Sequence, residues 1–341
     1  MKRNFIYVGN AASNDISVFL LSEDSHAELV QTLPFAGITA VGNATPIAVS
    51  PDQKFLYVGI RAAPFKVLAF EIDPATGHLL QIGRAALADS MAYLSTDRSG
   101  RFLFSASYGG NVISVNSIDD NGVAEDPVQV IETGLNAHAI LPSPDNRFVF
   151  ASNLGSDQVL VFRFNENTGV ISDGDPQRIA FEAKSGPRHF VFSPDGQFTF
   201  AITEYSAEVI AFAYDAAGGS WKKLDAAGIL PADFDGVSAS ADIHITPDSR
   251  FIYASERMSS TLKLLHFDAA SGKLQTRESI VTEKQPRGFT IDPTGRFLLA
   301  VGELSHRMTI YSISSATGAL QAVASYPTGR QPNWVEVIGF E

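Results

Sequence analysis

Arginine, histidine and glutamate stand in this chain at fixed distances from a repeated turn, and that spacing could give them chemistry. Ten residues before each of a series of phenylalanines, or at the equivalent place, are Thr45, Ala92, His138, Arg188, Ala241, Arg287 and Asn333. Six residues after the same phenylalanines are Ala11, Arg61, Tyr108, Leu154, Glu204, Arg257 and Glu303. If both sets converge, four arginines, one imidazole and two carboxylates share an opening. Arginine grips carboxylate or phosphate through two parallel N–H bonds, and a neighbouring His or Glu can move a proton. The net charge is −12, and an inner arginine is costly unless it is paired or meets an anion. The expected ligand is therefore small and anionic.

Convergence requires a repeating scaffold, and the phenylalanines supply one. Phe5, Phe55, Phe102, Phe148, Phe198, Phe251 and Phe297 each lead an apolar strand, typically after a Pro-Asp or Asp-Pro turn such as Ser193-Pro-Asp-Gly-Gln. Their spacings are 50, 47, 46, 50, 53 and 46 residues, and the count from Phe297 through the C-terminus round to Phe5 is 49. A period of this size with several short strands per unit indicates an all-β, seven-bladed β-propeller with four antiparallel strands per blade. The first strand of each repeat is expected innermost, for example 188–192, followed by 198–203, 207–214 and a fourth strand beyond a turn. Thr76-Gly77, Thr168-Gly169, Ser271-Gly272 and Thr317-Gly318 mark such turns. The chain opens on a second-type strand, 4–9, and ends on a first-type strand, 333–337. Their pairing should complete the last blade and close the ring, so residues 1–341 read as one domain.

Because the inner strand runs antiparallel to the second, the two sets of positions fall at the same end of the channel. The connections 34–45 and 218–240, the latter with Trp221 and Asp233-Phe-Asp-Gly236, emerge there and are expected to wall or cover the opening. His189 alternates with Arg188 and should face the blade interior. His244 should lie inside the channel beside Asp242, whereas His26, His78 and His266 fall outside the mouth. The acidic balance argues against nucleic acid and anionic membrane as general partners. There is no cysteine, hence no disulfide or thiolate metal site. The chain shows no apolar run of spanning length, and Met1-Lys-Arg-Asn-Phe leads straight into a strand, so a cytoplasmic protein is expected; a propeller closes without a partner, so a monomer is expected. Nucleophile-elbow, Walker, His-Glu-x-x-His and dinucleotide-binding signatures are missing. Asn153, Glu204, Asp242 and Asn333 could offer oxygens to a calcium-type ion. Arg188 and Arg287 beside them argue against a cation, and neither metal nor cofactor is expected.

Several stretches carry a resemblance across essentially the whole chain: Asn136-Ala-His-Ala, Gly186-Pro-Arg-His-Phe, Thr203-Glu-Tyr, Ala241-Asp-Ile-His-Ile-Thr-Pro-Asp, Gln285-Pro-Arg-Gly-Phe and Pro332-Asn-Trp-Val. With Val58-Gly-Ile-Arg61 and Ser107-Tyr108, they resemble the seven-bladed lactonase family. The likeness is nearest to its bacterial 6-phosphogluconolactonase branch, with the carboxy-cis,cis-muconate cyclases as the other branch. The resemblance implies hydrolysis of a phosphorylated sugar δ-lactone, with ring closure on a carboxylated muconate or non-catalytic anion or protein binding as alternatives. It places the catalytic set on His138, Arg188, Glu204 and Arg287. Arg61 and Arg257 would then take the phosphate and Tyr108 and Asn333 the sugar hydroxyls, with Asn153 and Asp242 also lining the substrate. The chain departs from the bacterial pattern at Ser107-Tyr-Gly-Gly110, which is short, and at Glu303, where a neutral residue is typical.

Overall fold

A computed structural model describes residues 3–340, the side chain of Pro176 excepted. It contains seven four-stranded antiparallel sheets arranged as blades. The innermost strands of blades 1 to 6 are Ile47–Val49, Met91–Thr96, Ala137–Pro142, Pro187–Phe192, Ser240–Ile245 and Pro286–Ile291. Blade 7 joins both ends of the chain: Pro332–Phe340 is its inner strand, and Arg3–Asn10, Asp15–Leu21 and Ala27–Pro34 follow outward. Phe5 faces Ile338 and Val8 faces Val335 in this pairing. The anticipated closure is thus present, while Met1 and Lys2 lie outside the described residues. Among the described residues, no helix is long and apolar enough to cross a membrane.

The repeated turn forms for a local reason. Its first residue carries a side-chain oxygen that accepts the N–H of the leading phenylalanine five residues on. Ser50 does so for Phe55 at 2.9 Å, Asp97 for Phe102 at 2.9 Å, Ser143 for Phe148 at 3.0 Å and Ser193 for Phe198 at 2.9 Å. Thr246 and Asp292 repeat the bond to Phe251 and Phe297. A donor that the tight turn would strand is satisfied locally, a habit of Ser, Thr and Asp.

Seven hydrophobic clusters fill the gaps between neighbouring blades, one for each pair. The leading phenylalanines also key one blade onto the next. A Cβ on Gly77 would fall 2.3 Å from the Phe5 ring, and one on Gly318 would fall 2.5 Å from Phe251. Both glycines also hold positive φ, which L side chains rarely adopt. Trp221 belongs to this interior and not to a lid. It lies in Ser220–Gly228, is buried, and stacks on Phe150 with ring centroids 5.0 Å apart. A flat apolar indole has more to gain from the gap between blades 3 and 4 than from a solvated mouth.

Deleting Pro332–Phe340 uncovers the eight-residue edge of Arg3–Asn10 and opens the ring. An unpaired edge of that length templates association with other chains. The truncated protein should therefore be recovered as aggregate, without a cooperative melting transition. A soluble monomer melting like the full chain would contradict closure as the source of stability.

Candidate active site

The inner strands do not alternate simply. In blade 4, Pro187 faces Thr203 and Phe190 faces Ala201, so Arg188 and His189 together stand opposite Ile202 alone. The same one-residue bulge places His138 and Ala139 opposite Ser152, Ala241 and Asp242 opposite Ser255, and Arg287 between the pairs Pro286–Gly302 and Gly288–Val301. A bulge re-aims side chains that a regular strand would send to opposite faces. Hydroxyls seat two of these bulges: Ser152 accepts the N–H of Ala139 at 2.9 Å, and Ser255 accepts that of Asp242 at 3.0 Å. Consequently both Arg188 and His189 reach the central channel, and the expectation that His189 turns into the blade is corrected.

At one end of the channel a cavity of about 190 Å³ is lined by Asn43, Arg61, Ala92, Tyr108, His138, Arg188, Glu204, Arg257 and Arg287. All four residues of the expected catalytic set meet here, with Arg61, Tyr108 and Arg257. A narrow neck below it is bounded by Ala92, His138, Arg188, His189, Asp242, Arg287, Gly288, Asn333 and Trp334. Residues common to both define the floor: His138, Arg188 and Arg287, with Ala92. Arg61, Arg257, Tyr108, Glu204 and Asn43 form the wall. Asn43 was missed in the sequence. It comes from the 34–45 connection, whose place at the mouth was legible although the inward-turning side chain was not.

Ion pairing grades the arginines. Glu204 Oε2 is 2.8 Å from Arg188 Nε and 3.0 Å from Arg257 Nη2. Arg257 Nε also donates to the carbonyl of Ala239 at 2.8 Å, so the 229–239 connection braces it from behind. Among the described residues Arg287 pairs only with Glu303, at 3.6 Å. Arg61 has no carboxylate within 4 Å among the described residues, and its buried Nε finds no acceptor. Burial, with Arg287 nearby, draws the Arg61 guanidinium down to about 10; burial and Arg257 bring Arg188 to about 9. Both stay charged at neutral pH. Four guanidiniums thus line the cavity against one carboxylate, Glu204. Glu303 and Asp89 stand behind Arg287 and Arg61 and offset only part of the excess.

His138 is buried at the floor, edge-on to Tyr108 with centroids 5.9 Å apart. Burial first, and then the charges of Arg188 and Arg287, hold its pKa well below the usual imidazole value. It is therefore neutral at working pH and has a lone pair to offer.

Three of the expected substrate contacts lie off this cavity. Asn153 is fully buried, and its amide donates to Thr133 Oγ1 at 3.0 Å and to the Gly134 carbonyl at 2.9 Å. Asn333 bounds only the neck. Its Oδ1 accepts from the N–H and hydroxyl of Thr45 at 2.9 and 3.1 Å, and its Nδ2 donates to the Gln331 carbonyl. Asp242 also borders the neck, and its oxygens are engaged by His189 at 2.8 Å and His244 at 3.4 Å. Asn333 and Asp242 spend these polar atoms within the protein, the Oδ1 of Asn153 is buried without a partner among the described residues, and none of the three lines the cavity. His244 lies beside Asp242, where the sequence put it.

A family profile described as Lactonase, 7-bladed beta-propeller, matches residues 6–337. The chain belongs to this family. Among relatives of this chain, the 6-phosphogluconolactonase of Serratia proteamaculans is 36% identical over 291 residues, 85% of each chain. The periplasmic gluconolactonase of Pseudomonas aeruginosa superposes with a TM-score of 0.89 at 26% identity, covering 99% of each chain. A Bacteroides fragilis structure, titled as a candidate 6-phosphogluconolactonase, also gives 0.89, at 25% identity over 98% of each chain.

Proposed function

We propose that the protein hydrolyses an anionic sugar δ-lactone, 6-phosphogluconolactone, to the open acid. The division of the cavity carries this reading. The floor groups one neutral imidazole with two guanidiniums, and the wall adds two more guanidiniums and a phenol a short distance away. A lactone carbonyl at the floor and a phosphate at the wall would use both ends. The names of the curated relatives supply the substrate class.

In this mechanism His138 takes a proton from water as the water oxygen attacks the carbonyl carbon. Negative charge building on the carbonyl oxygen is met by N–H groups of Arg188 and Arg287. When the tetrahedral centre collapses, the ring C–O bond breaks and the leaving oxygen recovers the proton from the His138 imidazolium. A low imidazole pKa helps this second step, because the imidazolium is a ready donor. Substrate anion bound beside the arginines offsets their field and restores basicity for the first. Glu204 holds Arg188 and Arg257 in orientation. Its Oε2 is committed to both guanidiniums, whereas the Nδ1 of His138 has no hydrogen-bond partner among the described residues. A cytoplasmic site of action belongs to this reading, since the relatives' substrate is a phosphorylated intermediate, although the Pseudomonas structure is named as periplasmic.

Freshly prepared 6-phosphogluconolactone should be hydrolysed well above the buffer rate, with no loss on adding chelator. Turnover of a carboxylated muconate with no lactone hydrolysis would replace this reading by the cyclase one. Binding of 6-phosphogluconate without turnover of either would leave an anion-binding propeller.

Arg61 distinguishes the two ends of the substrate. Among the described residues it is the wall cation with no carboxylate within 4 Å, so Arg61→Ala should raise KM for the phosphorylated lactone about 10- to 100-fold, the range for losing a charge-assisted contact. The kcat should stay within about threefold, and KM for unphosphorylated gluconolactone should change far less. An equal rise for both substrates removes Arg61 from the phosphate site. Arg257, whose guanidinium is already held by Glu204 and Ala239, should show the smaller discrimination.

A further inference from the structure

The neck beneath the floor holds charged groups that the reaction described above does not use. His189 Nδ1 lies 2.8 Å from Asp242 Oδ1, and His189 Nε2 lies 3.3 Å from Arg188 Nη1. The guanidinium can only donate, so Nε2 must be the bare nitrogen and Nδ1 must carry the proton that Asp242 receives. Arg188 Nη1 is shared with the carbonyl of Ala241, the residue before Asp242. On its other side, Asp242 Oδ2 accepts the backbone N–H of Phe289 at 3.3 Å, two residues beyond Arg287. It also faces His244 Nε2 at 3.4 Å, and Oδ1 accepts the N–H of Ile243 at 3.0 Å. One carboxylate on blade 5 therefore reaches blade 4 through His189 and blade 6 through the main chain at Phe289.

We propose that Asp242 and His189 are positioning residues for the two floor arginines. Asp242 fixes His189 in the tautomer that accepts from Arg188, and it pins the strand that carries Arg287. Neither touches the substrate. This inference rests on the lactonase reading for its kinetic consequence but not for its structural one.

The surroundings hold His189 neutral and Asp242 ionised, while beside them burial raises the Glu336 carboxyl to about 7 and Asp242 raises the His244 imidazole. His189 sits between Tyr93, at 5.1 Å, and Trp334, at 6.2 Å between ring centroids, and is 5.0 Å from His138. Burial and Arg188 lower its pKa to about 4, and the two histidines at Asp242 hold that carboxyl well below its usual range. The charged groups around the pair are Arg188, His244 and Glu336. The last lies across the lower channel, with its carboxylate on Trp334 Nε1 at 2.9 Å.

Asparagine at 242 reverses the logic. Its amide N–H₂, if turned toward His189, needs Nδ1 bare, and the proton moves to Nε2, where it opposes the Arg188 N–H. Asp242→Asn should reduce kcat for the lactone about 10- to 100-fold, the scale for losing a group that orients a functional side chain. KM should change little. Glutamine at 189 has no tautomer to choose, and its Oε1 can stand where Nε2 stood. The double variant Asp242→Asn/His189→Gln should therefore recover several-fold in kcat over Asp242→Asn alone, an effect that a merely structural role would not give. Nitrogen-15 histidine spectra of the full chain read the tautomer directly: Nδ1–H for His189 in the parent and Nε2–H in Asp242→Asn. A parent His189 protonated on Nε2, or an Asp242→Asn variant with kcat within twofold of the parent, overturns the proposal. If the parent hydrolyses no lactone, the functional reading fails by itself and the spectra still decide the positioning claim.

Discussion

Replacing His138 by glutamine should lower kcat on the phosphorylated lactone by about 100- to 10,000-fold, the usual contribution of a placed general base. In the barrier this is about 3 to 5 kcal/mol. The variant removes the one group at the floor that can both take a proton from water and return it to the ring oxygen. Glutamine fills similar volume, and the Nδ1 of His138 has no hydrogen-bond partner among the described residues, so the melting temperature should hardly move. The pH profile gives the sign. A base must be unprotonated to work, and His138 is held well below its ordinary value by burial and by Arg188 and Arg287. The kcat/KM of the parent should therefore stay level from about pH 7 through pH 6 and fall only well below the ordinary histidine value near 6.5. In the variant that limb should vanish together with the rate. Should the His138→Gln enzyme keep more than a tenth of its kcat, the proton goes elsewhere, and Glu204 is the next acceptor to replace. As an orienting group, Glu204 changed to glutamine should cost less than His138, the loss arising from loosened Arg188 and Arg257.

The ring and its site differ in how much of each the sequence displayed. The turn that seats each leading phenylalanine is built from residues within five positions of one another, so Phe5 to Phe297 announce the period directly. The closure of blade 7 follows from counting strand types. Convergence of equivalent positions in a rotationally repeated sheet puts His138, Arg188, Glu204 and Arg287 at one opening with other slots, and the family resemblance singles out these four. What stayed hidden is set by register and by competition for partners. The bulge opposite Ile202 adds one residue to a strand, and no local residue pattern distinguished Arg188-His189 from ordinary alternation. That hid the place of His189. Asn153, Asn333 and Asp242 have residue types suited to a sugar, and their slots lie near the mouth. Yet Thr133, Thr45 and His189 claim them first, and those partners come from neighbouring blades or distant turns. Trp221 reads as loop because its strand, Ser220–Gly228, carries no β-branched residue. In the structure the indole is claimed by Phe150 and Phe190 across a blade gap.

Arg287→Met should reduce kcat about 100- to 1,000-fold, the loss seen when one preorganised oxyanion donor is removed, with a smaller change in KM. Arg287 is the floor cation least committed to the protein. Its nearest carboxylate oxygen, on Glu303, is 3.6 Å away and accepts no hydrogen bond, whereas Arg188 is locked by Glu204, His189 and Ala241. A buried guanidinium whose N–H groups are not taken up by a close carboxylate can keep them aimed at the carbonyl oxygen, and it is stabilising the developing charge, not the ground-state carbonyl, that raises kcat. Removing it also strands Glu303, which is 6% exposed, and an unpaired buried carboxylate destabilises the fold. The two consequences separate cleanly. Arg287→Met/Glu303→Gln should recover the melting temperature lost by the single variant while leaving kcat equally low. Lysine at 287 keeps the charge but not the planar fork, so it should return only part of the rate. If the double variant regained activity along with stability, Arg287 would be a structural counter-ion to Glu303, and Arg188 alone would have to stabilise the oxyanion.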